Sequence, residues 1–248
     1  MLAYDAMPLL AIDVGNSRIK WGSRDGGGWI ALGAVEHGTG ADLETAWADL
    51  PPGCRAIGSN VTGPDAAGRV GAVLAAKGLP VQWIESTHAQ CGVRNLYDDP
   101  ARLGTDRWAA LIAARSMETG ACLVVNAGTA VTVDALASNG DFLGGLIMPG
   151  LRLMREVLAR HTFRLGREQG SYTPFPRNTA DAIASGAIEA VAGAVERMQA
   201  RLGEAVRGPV RVIASGGSIE TLAPCLPANA RRVENLVLEG LVIIAAES

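Results

Sequence analysis

Apolar and polar positions along the chain trace two similar passages. LLAIDVGNSRIKWG, from Leu9 to Gly22, opens with an apolar run that reads as a buried strand, turns at a glycine among small polar residues, and returns to strand-like residues. CLVVNAGTAVTVDAL, from Cys122 to Leu136, follows the same order, so that Asp13, Gly15, Asn16 and Ser17 match Asn126, Gly128, Thr129 and Ala130. A glycine turn between two strands exposes backbone N–H groups, and such concave groups bind phosphate. Two facing turns suggest a nucleotide held in a cleft between related halves.

Around these turns the periodicity predicts the remaining elements. Trp29–Val35 reads as a third strand. Ala41–Leu50 has helical spacing, with Leu43, Trp47 and Leu50 on one face, and Pro51 and Pro52 stop it. Arg55–Val61 is a short strand and turn, Pro64 opens a helix to about Lys77, and Pro80–Glu85 is another strand. In the second half, Cys122–Val125, Val131–Leu136 and Asp141–Ile147 are strands. Pro149 starts one helix, and Asn178 caps a longer one reaching about Leu202. RVIASGGS, from Arg211, then matches RAIGSNV, from Arg55. Two landmarks recurring in order indicate a duplicated α/β fold with mixed sheets.

Bulk properties narrow the class. Apolar residues make up 48% of the 248 but aromatics only 4%, which suits an Ala/Val/Leu/Ile interior. The net charge of −3 offers no concentrated Lys and Arg for nucleic acid. Cys54, Cys91, Cys122 and Cys225 are scattered without a CxxC pair, so a zinc site is not indicated and Cys122 reads as a buried thiol. No signal sequence stands at the N-terminus, and the apolar stretch near Leu236–Ala246 is too short to span a bilayer. A cytoplasmic protein with no membrane partner is expected. The first seven residues read as an extension with no assigned role.

The chain lacks a GxxxxGK[ST] loop, a GxSxG elbow and an HExxH motif. His37, His88 and His161 each read as surface or satisfied polar residues. Asp13, at a strand end before Gly15, either holds the magnesium of a nucleotide or caps its own turn. Asn16, Ser17 and Lys20 could contact phosphates, although alternation leaves the face of Lys20 open. In GTDRWAALIAARS, Thr105 can cap a helix that starts at Asp106. An Asp there often only complements the helix dipole, whereas Arg107 gains nothing from it and points to an anion partner. Asn178–Thr179 is an ordinary helix start, and Ser215–Gly217 is either a plain turn or a surface for a flat base.

Taken in order, DVGNSRIKWG, Tyr97 seven residues before GTDR, NAGTAVTVD, FLGGLIMPG, NTADAI and ASGG resemble the type III pantothenate kinases, with GNSRIKW similar to the branch that includes Bvg accessory factors. The resemblance spans nearly the whole chain. It implies duplicated ribonuclease H-like (actin-like ATPase) domains, here 1–103 and 104–248, with the nucleotide cleft between them. It implies that ATP and magnesium are used to phosphorylate pantothenate at the first step of coenzyme A synthesis. Asp13, Val14, Gly15, Asn16, Ser17, Arg18, Ile19 and Lys20 would form the first phosphate loop. Thr129 would lie in the second, and Ser215, Gly216 and Gly217 in the adenosine turn. Gly104, Thr105, Asp106 and Arg107 would bind pantothenate, with Asp106 as general base and Arg107 on the carboxylate. Tyr97 and Thr179 would contact pantothenate too, and a homodimer is implied. The family usually has Asp at the position of Asn126, where it helps bind potassium or ammonium. Asn keeps an oxygen but loses the charge, so a weaker monovalent cation site is expected. Other readings are a superfamily kinase with another acceptor, a nucleotide-binding regulator with little catalysis, and an actin-like filament protein.

Overall fold

The computed structural model describes residues 7–37, 40–51, 53–161 and 169–247. The expected extension (apart from Met7), the helix stop at Pro52 and the side chain of His161 lie outside the described residues. The chain divides into two compact units, Met1–Met117 with Leu236–Ser248, and Glu118–Asn235.

In the first unit the strands are β1 (Leu9–Val14), β2 (Arg18–Asp25) and β3 (Gly28–Glu36), followed by helix α1 (Gly40–Ala46), strand β4 (Arg55–Asn60), helix α2 (Pro64–Ala75) and strand β5 (Val81–Trp83). Their sheet runs β3-β2-β1-β4-β5. β1 is antiparallel to β2 and parallel to β4. Leu10, Ala11, Ile12 and Val14 are fully buried, which is why β1 reads as a continuous apolar run rather than an alternating one. Leu43, Trp47, Val70 and Leu74 close one face of this sheet. α1 ends before Trp47, whose indole still fills the core as its spacing predicts. A short hairpin of β6 (Ala89–Gln90) and β7 (Val93–Asn95) precedes helix α3 (Thr105–Met117).

The second unit contains β8 (Ala121–Ala127), β9 (Ala130–Leu136), β10 (Asp141–Pro149), helices α4 (Leu151–His161) and α5 (Thr179–Val206), strand β11 (Val210–Ser215), the one-turn helix α6 (Ile219–Leu222) and strand β12 (Ala230–Arg232). Within it the strands run β12-β11-β8-β9-β10. β8 is antiparallel to β9 and parallel to β11, as β1 is to β2 and β4. The order is that of the first unit, so the duplication legible in the motifs is present in the topology. Ile188, Val191 and Val195 of α5 pack on Leu123, Val125 and Val133. Burying each such side chain stabilises by roughly 1.5–3 kcal/mol.

The units part at a different place from the expected 103/104 boundary. α3 belongs to the first unit, and the C-terminal helix α7 (Leu236–Glu247) returns to it. Trp108, Leu111 and Ile112 of α3 and Leu238, Leu241 and Ile244 of α7 are buried together there. Gly240 lies so close to the backbone of Ala109 that a Cβ would collide with it. That close crossing ties residues far apart in sequence, which motif order does not register. Among the described residues no helix is long and apolar enough to cross a membrane.

Candidate active site

β1 delivers Asp13 to the end of the first sheet, and the chain turns through Gly15–Ser17 into β2. The Gly15 N–H donates to the Arg18 carbonyl at 3.2 Å, closing the turn. Asn16, Ser17 and Arg18 are exposed around it. Asp13 and Lys20 are direct cross-strand partners, so their side chains share a face. This settles the open question of where Lys20 points. The Ser59 hydroxyl, fully buried on β4, donates to Asp13 Oδ1 at 2.7 Å. His37 Nε2 lies 2.5 Å from the Gly15 carbonyl, so this histidine supports the turn.

Asp106 occupies the first turn of α3, and its Oδ1 accepts the Arg107 N–H at 2.7 Å. A Cβ at Gly104 would stand 2.8 Å from that oxygen, so glycine there leaves room for the carboxylate. Both acids are shifted upward. Asp13 is pushed up to about 6, first by burial and then by the Asp106 carboxylate, against the opposing pull of Ser59 and Lys20. Burial also raises Asp106, opposed by the N–H and the guanidinium of Arg107. Partly buried carboxylates with raised pKa values are a mark of functional sites.

Thr105 corrects one expectation. It is the first residue of α3 rather than its cap, and its hydroxyl accepts the Asn60 N–H at 3.1 Å and donates to the Asn60 carbonyl at 3.3 Å. The hydroxyl therefore fastens α3 to the end of β4. Arg107 is buried, with its Nη1 donating to the Tyr97 hydroxyl at 2.9 Å and its guanidinium 5.6 Å from the centre of that ring. Asn95, which the sequence did not single out, accepts the Tyr97 N–H at 3.1 Å and donates to the Pro100 carbonyl at 3.1 Å. It organises the loop that presents Tyr97.

In the second unit Asn126 pairs with Thr132 on β9 and with Ser215 on β11. The Gly128 N–H donates to the Ala130 carbonyl at 3.0 Å, and the Gly150 N–H donates to the Thr129 carbonyl at 2.9 Å. Gly216 has φ +107, and a Cβ on it would meet the Ala127 carbonyl oxygen at 2.5 Å. The Ser218 N–H donates to the same Ala127 carbonyl at 3.0 Å, so the Ser215–Gly217 turn is stapled to the end of β8 beside the Gly128 turn. Thr179 is exposed at the start of α5, where Asn178 Oδ1 accepts the Asp181 N–H at 2.9 Å as expected of a cap. It lines an apolar hollow of about 390 Å³ with Met154, Leu158, Ala182 and Ile183.

Asp13, Lys20, Tyr97, Asp106 and Arg107 thus belong to the first unit, and Asn126, Thr129, Thr179 and Ser215–Gly217 to the second. Among the described residues no three His, Cys, Asp or Glu gather to hold a metal by themselves. One carboxylate beside a glycine turn with exposed backbone fits magnesium, which takes one or two carboxylates and completes its shell with phosphates and water. Asn126 offers one neutral oxygen, a weak donor set for a monovalent cation.

The sequence profile of the type III pantothenate kinases matches residues 9–201. A type III pantothenate kinase of Aromatoleum aromaticum is 50% identical over 239 residues, covering 96% of this chain and 98% of its own. Its counterpart in Nitrosospira multiformis is 47% identical over 240 residues, covering 97% and 92%. Among solved structures, a Campylobacter jejuni protein of the Baf family superposes with a TM-score of 0.63 at 22% identity, covering 96% of this chain and 98% of its own. That likeness extends the shared fold to the whole chain.

Proposed function

The chain belongs to the type III pantothenate kinase family, and we propose that it uses ATP to phosphorylate pantothenate, giving 4′-phosphopantothenate and ADP, with Asp106 as general base. The observation that carries the assignment of the base is the place of Asp106 in the first turn of α3, held by the Arg107 N–H and given room by Gly104. Asp106 accepts the proton of the primary hydroxyl as that oxygen attacks the γ-phosphorus and the bond to the β-phosphate oxygen breaks. Its raised pKa makes it a stronger base than a surface carboxylate. Phosphoryl transfer depends mainly on positioning and charge stabilisation, to which the base adds.

Asp13 is the residue that would hold magnesium, directly or through water, and the ion would supply charge to offset that of the phosphates. Gly15, Asn16, Ser17 and Lys20 bind the phosphates from one turn and Thr129 from the other, while Gly216 and Gly217 hold the adenosine. Arg107, steadied by Tyr97, takes the pantothenate carboxylate as a charge-assisted pair. Thr179 contacts the remainder of the substrate. Asn126 takes part in a monovalent cation site weaker than that of Asp-bearing relatives. The enzyme is a cytoplasmic homodimer that needs neither membrane nor nucleic acid.

A coupled ADP-release assay with ATP and magnesium in potassium buffer, with and without pantothenate, tests the assignment. Pantothenate-dependent ADP is expected. ATP binding by folded protein without pantothenate dependence would move the function to another acceptor or to a regulatory role.

A further inference from the structure

β4 ends in Gly58-Ser59-Asn60, a stretch that carries no role in the reaction as assigned. Ser59 is 0% exposed in a strand whose neighbours Ala56 and Ile57 are core residues. An apolar side chain would pack there without a polar atom to satisfy, and a buried hydroxyl costs free energy unless it is bonded. Its proton goes to Asp13 Oδ1 at 2.7 Å, and the register sets Ser59 beside Asp13 in the β1–β4 pair. The next residue, Asn60, exchanges two hydrogen bonds with the Thr105 hydroxyl, one residue before Asp106. One strand end therefore holds Asp13 through a side chain and the start of α3 through the backbone.

The repeat supplies a second observation. Ser215 ends β11 much as Ser59 lies at the end of β4, and it stands in register with Asn126 as Ser59 does with Asp13. Each unit sets a buried serine beside the residue that opens its glycine turn. We propose that Ser59 is a positioning residue, whose hydroxyl fixes the plane of the Asp13 carboxylate so that it meets magnesium-bound nucleotide in one orientation. The proposal rests on the magnesium role of Asp13. Partners that orient a ligating carboxylate typically change metal affinity or activity by about 10–100-fold when removed.

The test compares wild type, Ser59→Ala, Ser59→Cys, Asp13→Asn and the Ser59→Ala/Asp13→Asn double variant. Affinity for ATP is measured calorimetrically with magnesium and with EDTA, beside steady-state kinetics. Ser59→Ala should weaken ATP binding about tenfold in magnesium and leave it unchanged in EDTA. Its kcat should fall while the KM for pantothenate holds. Ser59→Cys, of similar size and a weaker donor, should fall between, and keeps the test open should the alanine variant not fold. In the Asp13→Asn background, removing Ser59 should cost nothing further. Equal weakening with and without magnesium, or additive effects in the double variant, would overturn the proposal. Wild-type affinity for ATP that ignores magnesium, or that Asp13→Asn leaves intact, would instead remove the role of Asp13 on which it rests.

Discussion

Replacing Asp13 by Asn should stabilise the nucleotide-free protein at neutral pH while abolishing its function. The structure raises the Asp13 carboxyl from 3.8 to about 6. Between those values the folded state holds a proton that the unfolded chain has released, so stability falls as pH rises through the window. Above about 6 the full penalty is present, and below about 4 it is absent. Each tenfold change in proton affinity is worth about 1.4 kcal/mol, so ionised Asp13 costs the fold roughly 3 kcal/mol. Asn is of equal size and can still accept from Ser59, but its buried amide retains part of the desolvation cost, leaving a net gain of about 1–2 kcal/mol. At on the order of 2–4 °C per kcal/mol for a chain of this length, the melting temperature should rise by roughly 2–8 °C. The assay is thermal unfolding of both proteins in EDTA, without nucleotide, at about pH 7.5 and about pH 4, on either side of the window. The variant should melt higher at the upper pH and somewhat lower than wild type at the lower, where the wild-type acid is neutral and only the amide's retained cost remains. A variant that melts lower at the upper pH, or differs equally at both values, would refute the account of why Asp13 is raised.

Asp106→Asn should keep magnesium-dependent ATP binding and lose on the order of 10²–10⁴-fold in turnover, read by the ADP assay beside calorimetry. Near-normal turnover would take the base role away from it. Tyr97→Phe removes the hydroxyl that accepts from Arg107, and the KM for pantothenate should rise up to about tenfold with a smaller change in kcat; an unchanged KM would detach this pair from the substrate. Gly216→Ala puts a side chain at φ +107 against the Ala127 backbone and should cost about 1–3 kcal/mol of stability and weaken ATP binding. Wild-type unfolding and affinity would contradict it. Asn126→Asp should raise the stimulation of the rate by potassium, and coincident potassium profiles would show that the position does not touch the cation.

Much of the fold was legible because its central strands are buried on both faces. That burial writes uninterrupted apolar runs at Leu9–Ile12 and Cys122–Val125, and the glycine turns beside them are local chemistry. The duplication was legible in the two glycine turns and in the match of RAIGSNV with RVIASGGS, but the strand order, and β12 with it, was not. The hairpin at Ala89–Asn95 escaped notice because its turn is Cys91-Gly92, with φ 48 and 75. Positive φ at both residues is what a two-residue hairpin of the primed type demands, and Asn-Gly is its usual signal. The unit assignment of α3 and α7 was not legible either, since an apolar helix does not announce which distant surface it covers. Within the site, Asp13 and Arg107 stood out by residue type and place, whereas Asp106 read as an ordinary helix-start acid and took its role only from the family resemblance. Ser59, Asn95 and His37 did not stand out, because each acts through a hydrogen bond to a residue that only folding brings near.

The residue that opens the turn is charged in one copy and neutral in the other, and the cross-strand partner changes with it. Asp13 stands across the strand pair from Lys20, whose cation offsets part of the cost of ionising a buried carboxylate. Asn126 occupies the matching place opposite Thr132, where the partner brings a hydroxyl and no charge. A carboxylate there would lack the cross-strand cation, and a buried charge without one raises its pKa or recruits an external ion. An amide keeps the oxygen at that position and needs neither. The first unit can keep Asp13 ionised for a divalent ion because Lys20 and Ser59 share the cost. The second contributes a neutral donor, and a carboxylate restored at residue 126 would depend on whatever cation the solution supplies.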